Sequence, residues 1–166
     1  MAEPLAGTDR LIEVTLDDSA LPPASPEAEQ DRRVALYELT QENVFGLPGR
    51  EGRPAPAGPY RLALDIRDRL MVFDIRTEAG EPAGAFHMSL TPFRQIIKDY
   101  FQICEAYFDA VRRLPPAQIE AIDMGRRGLH DEGSRIMLER LAGKVDTDMA
   151  TARRLFTLIC VLHFKG

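Results

Sequence analysis

Near the end of the chain, Leu155-Phe156-Thr157-Leu158-Ile159-Cys160-Val161-Leu162 contains no polar side chain except Thr157. At helical pitch such a run has no face to give to water, so its helix must be enclosed on nearly all sides. Thr157 can stay inside by bonding back to a backbone carbonyl one turn earlier. The apolar run reaches Phe164, ten residues in all, which is too short to cross a bilayer. The remaining chain must therefore wrap this helix. With 166 residues it is long enough to do so within one domain.

The wrapping layers can be read from periodicity. Residues 11–16 form a strand rich in β-branched side chains. Residues 60–66 place Leu62, Leu64 and Ile66 on one face, and residues 70–76 do the same with Met71, Phe73 and Ile75. A further strand at 85–90 sends Phe86, Met88 and Leu90 one way and His87 and Ser89 the other. The short connections favour antiparallel pairing. Ser25-Pro26 opens a helix to about Asn43, with Val34, Leu36, Tyr37 and Leu39 as its apolar side. Thr91-Pro92 repeats that signature before a long amphipathic helix to about Arg113, which Leu114-Pro115-Pro116 ends. A short helix at 116–124 and another at 132–142 follow, with Gly143 as a stop. Asp146 or Thr147 caps the final helix. Residues 46–59 hold four glycines and four prolines and read as an exposed loop, and residues 1–9 read as a loose tail. The expected fold is α+β: a small antiparallel sheet of about three or four strands, one N-terminal helix and a C-terminal cluster of about four helices. Residues 10–166 would form a single domain.

Charge narrows the partners. The net charge of −5 argues against nonspecific attraction of nucleic acid by the whole surface. Residues 1–58 carry 11 acids and 5 bases, whereas residues 59–166 carry 15 acids and 16 bases. A local basic patch is therefore expected only in the back half. Cys104 and Cys160 both lie in apolar helical patterns and read as buried thiols of a reducing compartment. Residues 1–9 lack a signal-peptide pattern, so the expected location is the cytoplasm.

The densest chemistry lies at Met124-Gly125-Arg126-Arg127-Gly128-Leu129-His130-Asp131-Glu132-Gly133-Ser134. One reading is an anion-binding loop. Glycine-freed amides, a helix start near Asp131 and the Arg126 and Arg127 forks would hold phosphate or a nucleotide. The other reading is a structural turn, with the arginines in ion pairs to Asp123, Asp131 or Glu132. The spacing matches no phosphate-loop fingerprint. His130 with Asp131 or Glu132 also suggests a base and its orienting carboxylate, although no nucleophile is marked nearby. His87, His130 and His163 are too scattered for a metal set, and no cofactor is implied. A second basic set comprises Arg94 and Lys98, four apart on one helix, and Arg153-Arg154 at the start of the last. If these converge with the first set, an anion or RNA backbone could bind there.

Four stretches, Thr91-Pro92-Phe93-Arg94, Lys98-Asp99-Tyr100-Phe101, residues 119–130 and residues 151–160, are similar to those of an uncharacterised protein family of alphaproteobacteria. The resemblance spans residues 11–163. It implies a bacterial cytoplasmic origin and carries over no catalytic or binding residues.

These readings rank a non-enzymatic interaction or regulatory protein first, with an unknown protein partner and no membrane. An anion-, nucleotide- or RNA-backbone-binding module using Gly125, Arg126, Arg127, Gly128, His130, Asp131 and Glu132 comes second. An enzyme on a phosphorylated small molecule comes third. A homo-oligomer is compatible with all three.

Overall fold

The computed structural model describes residues 8–17 and 26–162. Expectations for residues 1–7, the turn at 18–24, the Ser25 cap, and His163 and Phe164 fall outside the described residues. The chain begins with β1 (Leu11–Asp17) and α1 (Pro26–Gln41). Next come a two-residue strand, β2 (Phe45–Gly46), and three longer ones: β3 (Tyr60–Arg67), β4 (Leu70–Thr77) and β5 (Pro82–Ser89). One 3-10 turn at Thr91–Phe93 leads into α2 (Arg94–Arg113) and α3 (Pro116–Leu141). A second two-residue strand, β6 (Asp146–Thr147), precedes α4 (Met149–Leu162).

The main sheet has the order β1-β3-β4-β5. Strands β3, β4 and β5 are antiparallel, as their short turns require. Strand β1 is parallel to β3, so the sheet is mixed rather than wholly antiparallel. The physical reason is the connection. Helix α1 carries the chain back across the sheet between β1 and β3, and only such a long crossover can return a strand in the same direction. Strands β2 and β6 pair separately and antiparallel, tying the loop after α1 to the start of α4.

The alternation reads out as expected on β3 and β4. Leu62, Leu64 and Ile66 and, opposite them, Met71, Phe73 and Ile75 are buried. One hydrophobic cluster joins this face to Phe93, Ile96, Ile97, Met137 and most of α4. In α4, Leu155, Phe156, Leu158, Ile159, Cys160 and Leu162 are all buried. Thr157 Oγ1 donates to the Arg153 carbonyl at 3.0 Å, the back-bond anticipated for it. The cap of α4 is Asp148 rather than Asp146 or Thr147. Its Oδ1 accepts from the Thr151 amide at 2.9 Å, while Asp146 and Thr147 are taken up in β6.

Helix α1 corrects a detail of its expected face. Ala35 and Leu39 are buried, but Val34 and Tyr37 are exposed, Tyr37 at 64%. The helix touches the core along a narrow stripe, and its flank turns to solvent. Asn43, just beyond α1, ties it to the edge of the sheet. Its Oδ1 accepts from the Leu11 amide at 2.7 Å and its Nδ2 donates to the Leu11 carbonyl at 3.1 Å.

The largest correction concerns residues 116–141. They form one continuous helix of 26 residues, not two helices with a glycine loop between them. The C-terminal cluster is therefore three α-helices. Helices α2 and α3 form a hairpin turned at Leu114-Pro115, and α3 also packs along α4. Gly133 explains why glycine was tolerated. A Cβ there would fall 2.1 Å from Phe156 Cζ, so the missing side chain is the space that Phe156 fills. At Gly125 a Cβ would lie 2.8 Å from Ile103 Cδ1, a milder version of the same close approach.

Candidate functional site

Because Gly125 to Ser134 lies inside α3, its amides are committed to carbonyls one turn back. No helix begins near Asp131. The backbone half of the expected anion loop is therefore absent, and whatever the stretch can do rests on side chains.

Those side chains do converge with others. Tyr100 of α2, Arg126, Arg127, His130 and Asp131 of α3, and Arg153 of α4 line one surface cavity of about 420 Å³. Of the second basic set, Arg153 joins this cavity. Arg94 and Lys98 are exposed elsewhere on α2, and Arg154 reaches toward Glu42 at 3.7 Å. Gly128 and Glu132 are exposed on the solvent side of α3. His87 is exposed on β5. Among the described residues, no group of three His, Cys, Asp or Glu side chains could hold a metal ion.

Asp123 organises the arginines. Its Oδ1 accepts from Arg126 Nε at 3.0 Å, and its Oδ2 lies 3.2 Å from Arg127 Nε. Arg126 also lies 4.8 Å over the Tyr107 ring, a cation–π contact that orients the guanidinium. Arg153 pairs with Asp131 across the α3–α4 contact. The ion-pair reading of Arg126 and Arg127 is thus realised with Asp123 alone, because Asp131 pairs instead with Arg153. Three guanidinium groups are nevertheless matched by two carboxylates.

His130 is the centre of the site. Its ring meets Tyr100 at 5.4 Å and Phe156 at 5.1 Å, both edge-on. Its Nε2 lies 2.8 Å from Thr157 Oγ1. The Thr157 hydroxyl proton is already given to the Arg153 carbonyl. The hydroxyl oxygen therefore accepts, and the neutral histidine carries its proton on Nε2. Burial, followed by the charge of Arg153, holds the His130 pKa below its ordinary value, against a smaller opposing pull from Asp131, and Arg126 adds a still smaller lowering. The neighbouring carboxylate is engaged by another partner. Asp131 is held by Arg153, and that hydrogen bond lowers its pKa. A histidine–carboxylate pair for base catalysis is not assembled.

The depressed His130 pKa has a signed consequence. Above the unfolded value near 6.5 the ring is neutral in both states. As pH falls below that, the unfolded chain takes up a proton that the folded protein resists, so stability is lost. The urea midpoint is expected to drop between about pH 7.5 and about pH 5.5. The drop should be smaller in His130→Gln, and an equal drop in both proteins would remove His130 as its source.

A second cavity of about 360 Å³ adjoins the first through the shared Tyr100 and His130. It lies between α1 and α2 over α4, with Phe101, Cys104, Phe108 and Cys160 supplying apolar walls and Asp31 and Glu38 an acidic rim. Burial pushes the Tyr100 phenol up to about 12 and raises both thiols. A nucleophilic cysteine needs its thiolate, so these thiols stay protonated and inert at neutral pH. Both are free, Cys160 buried and Cys104 partly so.

Tyr100, Tyr107, Asp123 and Thr157 were missed as site residues by sequence reasoning. The tyrosines sit at core spacing and Thr157 inside an apolar run, so their patterns signalled packing alone. Asp123 was foreseen only as an ion-pair partner.

No helix among the described residues is long and apolar enough to cross a membrane. No solved structure matches the chain. Its sequence is 64% identical to a UPF0262 protein of Roseobacter denitrificans, over 95% of this chain and 99% of that protein. It is 63% identical to a UPF0262 protein of Ruegeria pomeroyi, over 95% and 98% respectively. A UPF0262 protein of Paracoccus denitrificans is 64% identical over 93% of this chain and 95% of its own. These organisms are alphaproteobacteria, in line with the resemblance drawn from residues 91–160. The family-level match runs through residues 8–165, and the chain belongs to the uncharacterised protein family UPF0262.

Proposed function

We propose that this protein is a non-enzymatic regulatory or interaction protein of the bacterial cytoplasm that binds a small organic anion between α2, α3 and α4. The observation that carries the reading is the surplus positive charge. Arg126, Arg127 and Arg153 share one cavity, while Asp123 and Asp131 neutralise only two of them. The Arg127 side chain remains 61% exposed and that of Arg153 44%, so both can present N–H groups to a ligand. Neutral His130 adds a polar wall without adding charge.

The adjoining cleft supports an amphipathic ligand. Its apolar body would lie along Phe101, Cys104 and Phe108, and its anionic end beside the arginines. Asp31 and Glu38 on the α1 rim would repel an anion placed in the cleft itself, which orients the ligand. A medium-chain carboxylate is the simplest molecule of this class.

Calorimetric titration with decanoate, inorganic phosphate and decanol tests this. Decanoate is expected to bind more tightly than either of the others. In Arg127→Ala/Arg153→Ala its affinity should fall about tenfold or more, the loss of at least one charge-assisted hydrogen bond. The melting temperature should change little, because exposed ion pairs contribute at most about 1 kcal/mol each. Undiminished affinity in the double variant, or equal binding of decanol, would overturn the assignment.

A further inference from the structure

Strand β5 is the outermost strand of the sheet, and among the described residues no second strand pairs with it. Every residue of β5 except Met88 is at least partly exposed. The direction of its backbone groups can be worked out. Just beyond the strand, the Leu90 amide donates to the Arg69 carbonyl at 2.7 Å. In an antiparallel ladder, hydrogen-bonded pairs recur every second residue. Met88, Phe86 and Gly84 therefore turn their backbone groups toward β4, whereas Ser89, His87 and Ala85 turn theirs outward. An open row of donors and acceptors is a template for another strand.

The same edge is flanked by surplus positive charge. Arg50 and Arg53 exchange both backbone hydrogen bonds, at 2.9 and 2.8 Å, around Glu51 and Gly52, whose φ angles are 51° and 77°. Two left-handed central residues make this a tight hairpin turn, which holds the two arginines side by side. With Lys144 they line a cavity of about 460 Å³ against Ala83, Gly84 and Ala85, with Glu51 as its one acid. Among the described residues Arg50, Arg53 and Lys144 take part in no ion pair, unlike Arg126, Arg127 and Arg153. The small side chains leave room beside the edge. Over the sheet face next to the edge, a Cβ on Gly84 would meet only Leu47, at 3.6 Å.

We infer that β5 accepts an extended, acidic peptide segment of another protein, which adds to the sheet as a further strand and sets its carboxylates against Arg50, Arg53 and Lys144. Backbone pairing would supply affinity and the basic turn would select the sequence. An acidic peptide fits better than β5 of a second copy of this chain, because β5 carries no acidic side chain to offer the arginines. The site is separate from the arginine cavity between α2, α3 and α4 and stands or falls without it.

Fluorescence anisotropy with a labelled peptide of alternating glutamate and valine, as long as β5, tests the inference. The full protein should bind this peptide and not its lysine counterpart. N-methylation of alternate peptide amides should abolish binding, because it removes the ladder while keeping the charge. Arg50→Glu/Arg53→Glu should weaken binding about tenfold or more. Ala85→Pro removes an outward-facing donor and should also block binding, with the helical circular-dichroism signal unchanged. Equal binding of the glutamate and lysine peptides, or indifference to N-methylation, would overturn the proposal. So would tighter binding of a single-stranded oligonucleotide, or a dimer in sedimentation that the peptide does not displace.

Discussion

Phe156→Ala is expected to lower the unfolding free energy by about 3–5 kcal/mol. Phe156 is fully buried and stands where three helices meet. Its ring lies 6.2 Å from Phe93, 6.3 Å from Tyr100 and 5.1 Å from His130, and it fills the notch at Gly133. Truncation would leave a void that rigid rings on all sides cannot close, so the cavity cost adds to the lost transfer energy. Urea unfolding followed by circular dichroism reads this as a shifted midpoint with an unchanged slope. A midpoint equal to wild type would mean that α4 is peripheral, contrary to its burial. Because His130 rests on the same ring, the variant should also loosen the polar centre.

The glycines of α3 should answer substitution with opposite signs. A Cβ at Gly128 would meet nothing within 4 Å, and the residue sits mid-helix, so Gly128→Ala is expected to stabilise the protein by about 1 kcal/mol. Gly133→Ala gains the same helix propensity but drives a methyl group into Phe156, with ring carbons 2.1, 2.4 and 2.5 Å away. Overpacking of a core typically costs about 1–3 kcal/mol, and a ring pinned by neighbours places this site at the upper end. The net effect should be destabilising by about 2 kcal/mol. The two substitutions should couple differently to the ring. In a Phe156→Ala background, Gly133→Ala should turn neutral or stabilising, whereas Gly128→Ala should keep its effect. A Gly133→Ala protein as stable as Gly128→Ala would show that the close approach is not needed.

These glycines mark where local reading failed. Three glycines in eleven residues lower helix propensity, and propensity alone places a break there. In the folded protein the cost is offset at Gly133, where the absent side chain lets α4 approach. That benefit depends on a residue 23 positions away and has no local signature. The same error produced the expected anion loop. Once the stretch is helical, its amides are spent, and only the side chains at 126, 127, 130 and 131 remain to form a site. Strand β1 illustrates a second limit. Its β-branched composition marked it as a strand, but its direction relative to β3 was not legible, since pairing sense follows from the path of the connection through α1.

The sequence by itself determined the elements whose burial is written in a repeating pattern. Alternation defined β3 and β4, 3.6-residue spacing defined α2, and the unbroken apolar run placed α4 at the centre. It also placed Arg126, Arg127 and His130 close together, because they are neighbours in the chain. Only the tertiary structure decided that Tyr100 and Arg153 join them, that Asp131 serves Arg153 rather than His130, and that Arg50, Arg53 and Lys144 stand beside an open strand edge. Periodicity reports which face of an element is buried, a property local to the segment. Which side chains meet across two faces depends on how the elements pack, and that energy is shared among residues far apart in sequence.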